Sequence, residues 1–429
     1  MQTWDFRSGI RSWLIPELLS GPMALGHALV PDGTLHLLVV RLTLTALSLV
    51  IVGAATALGL RLSKLHGAMA GLVAGTWFEL VYFAPRALSE PIGFAALMGA
   101  VWLLVARRDP GPRQFALAGL LMGLCFVARI QYAPALFVLA AFTARRDWRG
   151  AWLPLVAGGL GGLAADAAAN LAMGAVPFRW MIEAVRINVI EGRANAFGVM
   201  PPFWYLGRIG SYWLVAAIPI LLLARLGARR YPVLLWMALV HLGFHSLIAH
   251  KEYRFVLLST ALTVILAAIG TGDALRRVPR QRLARAAAGA GLAWVAASIV
   301  LSFGPFRPNW TMEADLAAAL DRAGRPRQTC GLAVTYEPRD TVTAAYALYR
   351  RDTPLYLVPA RETARYASAY DVIVTASTNF ATLPKGYRVE YCAEPGNTGA
   401  PGCVARRGGG CTAGPAQFEV NAVLRANGN

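Results

Sequence analysis

Residues 37–60 read LLVVRLTLTALSLVIVGAATALGL, and residues 286–303 read AAAGAGLAWVAASIVLSF. At about 1.5 Å of rise per residue either run spans most or all of a hydrocarbon core about 30 Å thick. The first carries one charged side chain, Arg41, and the second none. The same character extends along the chain. Of 429 residues, 56% are hydrophobic and only 15% are charged, against about 25% charged in an ordinary soluble domain. Mean hydropathy is +0.48. The chain therefore reads as an all-α polytopic membrane protein.

Apolar stretches at 37–60, 67–84, 91–106, 114–129, 132–143, 151–173, 207–225, 232–249, 255–271 and 286–304 predict about ten crossings. The fourth and fifth are short and flank Arg129 and Pro134, which predicts a bent hairpin there. The net charge of +18 raises a nucleic-acid reading, but the arginines fall in short gaps between apolar runs, where cytoplasmic loops hold them. Arg61 and Lys64 follow the first stretch. Arg107, Arg108 and Arg113 follow the third, and Arg145, Arg146 and Arg149 the fifth. Arg225, Arg229 and Arg230 follow the seventh, and Arg276, Arg277, Arg280, Arg282 and Arg285 the ninth. Every odd stretch is followed by a basic cluster, so alternation puts these gaps in the cytoplasm. The gaps at 85–90, around Arg129, at 174–206 and at 250–254 then face outward, as does the tail.

Three domains are expected: an outward N-terminal segment with an amphipathic helix (1–36), the transmembrane domain (37–304) and an extracytoplasmic α/β domain (305–429). By the same parity Met1 to His36 lie outside without a signal peptide, which predicts a further N-terminal helix in the natural protein. Lysine is scarce beside Arg, Ala and Gly; that fits a bacterial cytoplasmic membrane, for which the endoplasmic reticulum is the eukaryotic equivalent. In the tail, Met312–Ala323 reads as a helix. Residues 329–336, 355–358, 370–375 and 387–392 read as strands of a small parallel sheet, with 406–411 and 424–429 as loop and chain end. Cys330, Cys392, Cys403 and Cys411 all lie in this segment. An even set in one polar segment predicts disulfides, with three pairings open; the absence of a CxxC pair disfavours zinc. Cys125, inside an apolar run, reads as a packing residue.

Close helix packing accounts for Gly67, Gly71 and Gly75, and for Gly158, Gly159, Gly161 and Gly162. No nucleotide-binding glycine loop is present.

The most informative polar segment is His250-Lys251-Glu252-Tyr253-Arg254-Phe255. It is a short turn that faces outward yet carries basic groups, against the charge rule the other gaps obey. A solvated turn with snorkelling side chains is the plain reading. A cationic pocket for a phosphate is the sharper one. Asp166 sits about two turns inside an apolar run and needs a partner; Arg129 and Arg186 are the structural alternatives to a substrate. The long loop 174–206 mixes Arg186, Asn188, Glu191, Arg193 and Asn195 with Trp180, Phe197, Phe203, Trp204 and Tyr205. That composition suits a sugar or lipid head group, and equally an aromatic interfacial anchor. Glu79, Arg86 and Glu90 border the second outward gap, Glu90 following a Ser89 helix cap. His241 and His245 share a helix face and read as core residues rather than metal ligands.

These segments, in this order, resemble glycosyltransferase family 22 of the GT-C superfamily, the polyprenyl(dolichyl)-phosphate-mannose-dependent α-mannosyltransferases of N-glycan precursor and GPI-anchor assembly. Thr3-Trp4-Asp5-Phe6 with Arg11-Ser12-Trp13-Leu14-Ile15-Pro16 is similar to the family's first block, and Tyr82-Phe83-Ala84-Pro85-Arg86-Ala87-Leu88-Ser89 to its second-gap motif. Asp166, Asn188 to Gly198 and Trp204-Tyr205-Leu206 follow its central outward loop. His250-Lys251-Glu252-Tyr253-Arg254-Phe255 matches its His-Lys-Glu-x-Arg-Phe signature. The family's outward His-Pro-Asp-Glu run, which supplies its base, has no counterpart here, and neither does the tyrosine-glycine pair that usually follows its central aspartate.

The resemblance implies an inverting, metal-independent and cofactor-free transfer of a hexose, mannose above all, from a polyprenyl-phosphate sugar to a hydroxyl of a lipid-linked glycan on the outer face. His250, Lys251 and Arg254 would hold the donor phosphate. Glu252 would orient them, and Asp5 is the nearest candidate base. Trp4, Arg86, Asp166, Asn188 and Tyr205 would line the substrate site. A transporter or flippase of a lipid-linked or anionic solute is the alternative, and a scaffold without activity a third.

Overall fold

The structure is a computed structural model that describes residues 9–31, 35–312, 314–324, 329–336, 353–395 and 400–426. It divides into two compact units, one of residues 9–305 and one that holds the tail from Phe306.

Each of the ten apolar stretches lies on helix. The helices run Leu35–Leu60, Lys64–Thr76 continued by Phe78–Phe83, Ser89–Leu104, Pro112–Ala128, Ala133–Ala144 and Leu153–Ala172. They go on with Trp204–Trp213 continued by Ala217–Ala228, then Pro232–Leu247, Leu257–Leu275 and Arg280–Phe303. Among the described residues, five helical segments are long and apolar enough to cross a membrane by length and composition: Leu35–Leu60, Trp148–Ala172, Trp204–Ala228, Tyr253–Leu275 and Arg280–Phe303. Ser89–Leu104, Pro112–Ala128, Ile130–Ala144 and Pro232–Leu247 are shorter apolar helices. The expected bend appears where helix Pro112–Ala128 stops: Arg129 is extended, Ile130–Tyr132 make one 3-10 turn, and Pro134 enters the first turn of the next helix.

Helix Leu257–Leu275 is buried along nearly its whole length, which is what a helix apolar all round requires. Its neighbours approach through glycine. A Cβ on Gly270 would lie 1.9 Å from the carbonyl oxygen of Leu223, and one on Gly227 2.0 Å from that of Leu266. The expected glycine cluster works the same way. A Cβ on Gly158 would meet the carbonyl of Ala116 at 1.9 Å, and one on Gly119 that of Leu155 at 2.0 Å, so helices Pro112–Ala128 and Leu153–Ala172 touch backbone to backbone. Gly71 abuts Thr56, whereas Gly75 has ordinary space around it. At another end of the bundle, Arg230 grips Asp273 with Nε and Nη2 at 3.0 and 2.9 Å, and His66 Nε2 lies 3.3 Å from the same carboxylate.

A helix forms over Leu14–Leu29 and belongs to the unit of residues 9–305. Leu14 packs with Val127 and Trp180, while Leu18, Leu25 and Leu29 stay exposed.

In the tail a helix spans Ala314–Gly324, and five strands follow: β1 (Leu332–Tyr336), β2 (Leu355–Pro359), β3 (Val372–Ala376), β4 (Arg388–Cys392) and β5 (Gly402–Arg406). Their order is β2-β1-β3-β5-β4. The first three are parallel, as expected, but β5 pairs antiparallel with both β3 and β4, so the sheet is mixed. Two expectations fail here. β5 was unforeseen, because one five-residue strand flanked by Gly402 and an arginine pair carries little pattern. The connection from β2 to β3 is made of single 3-10 turns rather than a helix. The end of the chain also differs, with helix Val420–Ala426 where loop was expected. Residues 337–352, the other expected helical connection, lie outside the described residues. The cysteines pair Cys330–Cys411 and Cys392–Cys403, and Cys125 is buried and free.

Candidate functional site

The signature turn hangs between two rigid supports. Helix Pro232–Leu247 ends just before it, and Tyr253–Val256 form a 3-10 turn that runs straight into the buried helix Leu257–Leu275. The long loop of residues 174–206 covers it from the other side. The backbone N–H of Met200 donates to Ala249 O at 3.0 Å, Lys251 Nζ donates to Met200 O at 3.3 Å and to Ile248 O, and His250 Nδ1 lies 3.2 Å from Gly198 O. Gly198 has φ +107°, a conformation an L side chain resists. Tyr205 is buried, with its ring 5.8 Å from Lys251 Nζ. The long loop and the turn were read separately from sequence, and the fold joins them.

Inside the turn, Arg254 holds Glu252 in a fork, Nη2 to Oε1 at 2.9 Å and Nε to Oε2 at 2.7 Å. His250 Nε2 lies 3.2 Å from the same carboxylate. Both partners of the His250 ring are oxygens that only accept, so the imidazolium alone satisfies them together. The hydrogen bond with Glu252 accordingly raises the His250 pKa above 6.5. Burial pushes the Glu252 carboxyl up, but His250 and Arg254 outweigh it and hold Glu252 below the usual range. Burial lowers Lys251.

The sign of the pH dependence follows. With its folded pKa raised, His250 carries its charge at low pH and loses it as pH rises through that value. Affinity for a phosphate-bearing ligand is expected to fall as pH rises through that raised value, and His250→Asn is expected to flatten that limb. Titration of wild type and variant across pH checks both.

A second carboxylate, one of the three candidates bordering the second gap, lies close to the turn. Glu90 is almost fully buried, with Oε1 3.3 Å from Arg129 Nη2 and 3.7 Å from Arg254 Nε. Leu88, not Ser89, caps that helix, and Ser89 instead donates to Glu90 Oε2 at 3.3 Å. The Arg129 guanidinium stacks 4.4 Å above the Phe255 ring. Glu79, also buried, receives Trp77 Nε1 at 2.8 Å, Trp213 Nε1 at 3.2 Å and the Tyr253 hydroxyl. Among Lys251, Arg254, Arg129, Glu90 and Glu252, three cations stand against two carboxylates, leaving one net positive charge, or two with His250 protonated. Such an excess of cations is chemistry that suits an anion.

Asp166 belongs to a different constellation. Ser12 Oγ and Asn170 Nδ2 (3.1 Å) donate to Oδ1, and Trp180 Nε1 donates to Oδ2 at 3.1 Å. The charged partners considered for it are engaged elsewhere, Arg129 with Glu90 and Arg186 with Glu183 and Glu191. With no exposed surface, Asp166 ties the Ser12–Trp13 segment to helix Leu153–Ala172. Arg86 folds back over the Tyr82 ring, 3.3 Å from its centroid, and donates to Tyr82 O. Asn188 is half-buried on a π-helical turn, Arg186–Ile190. Asp5 and Trp4 lie outside the described residues. His241 and His245 are buried, and His241 bonds Ser259 at 2.8 Å. Among the described residues the ligand-type groups that cluster are Cys330, Asp371 and Cys411, and the two cysteines there form a disulfide.

The chain thus combines a unit of apolar helices, carrying a cationic turn, with a small α/β unit. Its fold is similar to that of ArnT from Cupriavidus metallidurans bound to undecaprenyl phosphate (TM-score 0.54, 13% identity, 92% of this chain and 87% of that one). It is equally similar to the apo state of ArnT (TM-score 0.54, 13% identity, 89% and 86%). Residues 1–307 match the family model of the Alg9-like mannosyltransferases, and the chain belongs to that family. A probable Dol-P-Man:Man(7)GlcNAc(2)-PP-Dol alpha-1,6-mannosyltransferase from Schizosaccharomyces pombe is 26% identical over 216 residues, 49% of this chain. The matched stretch spans only 38% of the length of that relative.

Proposed function

We propose that the protein is a multi-pass membrane mannosyltransferase that takes mannose from a polyprenyl-phosphate donor and passes it to a hydroxyl of a lipid-linked glycan. The single observation that carries this reading is the turn of residues 250–254, where Lys251, Arg254 and His250 form one cationic site against Tyr205 and the outward loop. Family membership favours transfer over transport. The similar chains agree on the donor's chemistry: the yeast relative is named for Dol-P-Man, and ArnT was seen with undecaprenyl phosphate.

In this mechanism the acceptor oxygen attacks C1 of the mannose from the face opposite the phosphate. The C1–O bond to phosphate breaks with its electron pair going to the phosphate, and the configuration inverts. Lys251, Arg254 and protonated His250 stabilise the charge that builds on the leaving group, while Glu252 keeps the Arg254 fork and the His250 ring oriented. The hydroxyl proton passes to a carboxylate, for which Asp5 is the candidate in this sequence. With a leaving group already anionic and met by fixed cations, the transfer proceeds without a metal. Ten crossings, a cytoplasmic face for the arginine-rich gaps and an external face for the turn and tail complete the reading.

The test is direct. Membranes carrying the full chain receive either dolichyl-phosphate mannose or GDP-mannose, each with labelled sugar, together with a lipid-linked oligosaccharide acceptor. Label transfer from the lipid donor alone, unaffected by EDTA, is expected. Transfer only from the nucleotide sugar, or turn residues mapped to the cytosolic side, would overturn the proposal.

A further inference from the structure

The buried pair Glu90–Arg129 has no role in the scheme above, yet it is an expensive feature. Arg129 is 6% exposed and Glu90 2%. Withdrawing two such ions from water costs several kcal/mol each before their mutual attraction returns part of it, and ionised groups at membrane depth mark function more often than support. Three contacts show what the pair is joined to. Glu90 Oε1 lies between Arg129 Nη2 (3.3 Å) and Arg254 Nε (3.7 Å). The Arg129 guanidinium stacks on Phe255, the residue after Arg254. The Tyr132 hydroxyl, three residues beyond Arg129, donates to the Glu90 carbonyl at 3.1 Å. The 3-10 turn that starts at Arg129 therefore grips Glu90 by side chain and backbone, and Glu90 in turn meets Arg254.

We infer that Arg129 is a positioning residue for the donor-phosphate site, acting on Arg254 through Glu90 and Phe255. The physical logic is one of charge sharing. Arg254 has two carboxylates near it, Glu252 at 39% exposure and Glu90 at 2%. If Glu90 had no second cation, its full charge would fall on Arg254 and weaken it as a phosphate partner. Arg129 takes up that charge, so Arg254 keeps a fixed place without being neutralised. Removing Arg129 turns Glu90 from a shared hinge into a competitor of the phosphate.

This inference rests on the donor-phosphate reading of the turn, and its test separates the two. The full chain in nanodiscs is titrated with dolichyl phosphate, following thermal stabilisation, for wild type, Arg129→Gln, Arg129→Lys, Arg254→Gln and the double variant Arg129→Gln/Arg254→Gln. Arg129→Gln is expected to raise Kd about tenfold or more and Arg129→Lys to restore most of it, because the charge is what matters. The double variant is expected to bind no worse than Arg254→Gln alone, since residues acting through one group are not additive. In transfer assays the change is expected in KM for the donor, with KM for the acceptor unmoved. If Arg254→Gln weakens binding but Arg129→Gln does not, or if the two effects multiply, the positioning role is wrong while the site stands. If Arg254→Gln itself binds dolichyl phosphate like wild type, the site reading fails and this inference with it. Should Arg129→Gln prove too unstable to purify, Glu90→Gln replaces it: relieving Arg254 of a competing charge, it is expected to tighten binding, and weakened binding would refute the inference.

Discussion

Replacing Arg254 by methionine is expected to lower kcat/KM for mannose transfer by about 10²–10³-fold, the range seen when one preorganised partner of a developing charge is removed. The lost cation is only part of the effect. Arg254 forks Glu252 and faces Glu90, so its removal leaves two carboxylates beside the proposed phosphate position, and the net charge of the cluster falls from two to one with His250 protonated. Arg254→Lys restores the charge but not the fork and is expected to recover part of the rate. Lys251→Met should match the loss in rate and differ in stability. Lys251 is 5% exposed, and its ammonium serves the carbonyls of Met200 and Ile248. Leaving those acceptors unmet costs about 1–3 kcal/mol. Arg254, a third exposed, is expected to cost little. Label transfer from dolichyl-phosphate mannose in proteoliposomes, with thermal unfolding followed in parallel, checks both. Wild-type turnover in Arg254→Met would remove the phosphate role.

The turn was legible from its density. His250, Lys251, Glu252 and Arg254 crowd five positions between two apolar stretches, which needs no tertiary knowledge to be seen. Tyr205 was legible through the resemblance of Trp204-Tyr205-Leu206, but its place against Lys251 depends on the long loop folding back onto the turn. Glu90 and Arg129 were each visible as charges at the ends of apolar stretches, but they stand 39 positions apart in sequence. Their pairing exists only because helices Ser89–Leu104 and Pro112–Ala128 bring residue 90 and the 129–132 turn together. Glu90 was also masked by local grammar: Ser89-Glu90-Pro91 reads as a helix start, and a capping glutamate faces water, whereas this one faces inward. Asp166 shows the opposite failure. An isolated carboxylate in an apolar run was rightly expected to have partners, but the search went to charged residues, while the partners are Ser12, Asn170 and Trp180. Neutral donors are enough to hold a carboxylate and leave no charge pattern to find.

The helices themselves were legible to within about six residues at their ends, because long apolar runs have few other fates. The same simplicity hid their neighbours. Gly227 and Gly270, which let two helices touch, stand alone in their segments, whereas the run Gly158 to Gly162 announced itself. In the tail, the three parallel strands were found from β-branched runs with buried faces. β5 was not found, since its identity comes from pairing with β3 and β4 rather than from its own composition.

Removing the Cys330–Cys411 disulfide by a double serine substitution is expected to destabilise the tail by about 4–5 kcal/mol, because the bond closes a long loop and loop-closure entropy grows with length. The separation is 81 residues, against 11 for Cys392–Cys403, for which the same relation gives about 3 kcal/mol. The difference in measured effect should be larger than that. Cys392 and Cys403 are register partners in the β4–β5 pair, so the ladder already holds them together when the bond is absent. Cys330 precedes β1 and Cys411 follows β5, so that bond ties together two ends that no strand pairing joins directly. For a domain of roughly 100 residues a loss of 4–5 kcal/mol lowers Tm by about 20 °C, enough to unfold it near physiological temperature if it starts from ordinary stability. Proteolysis of the full chain in proteoliposomes at rising temperature, scored by survival of the tail, checks the order. Equal loss from the two double variants would show that loop length does not govern. A Cys330–Cys411 variant as resistant as wild type would show that this bond does not hold the tail together.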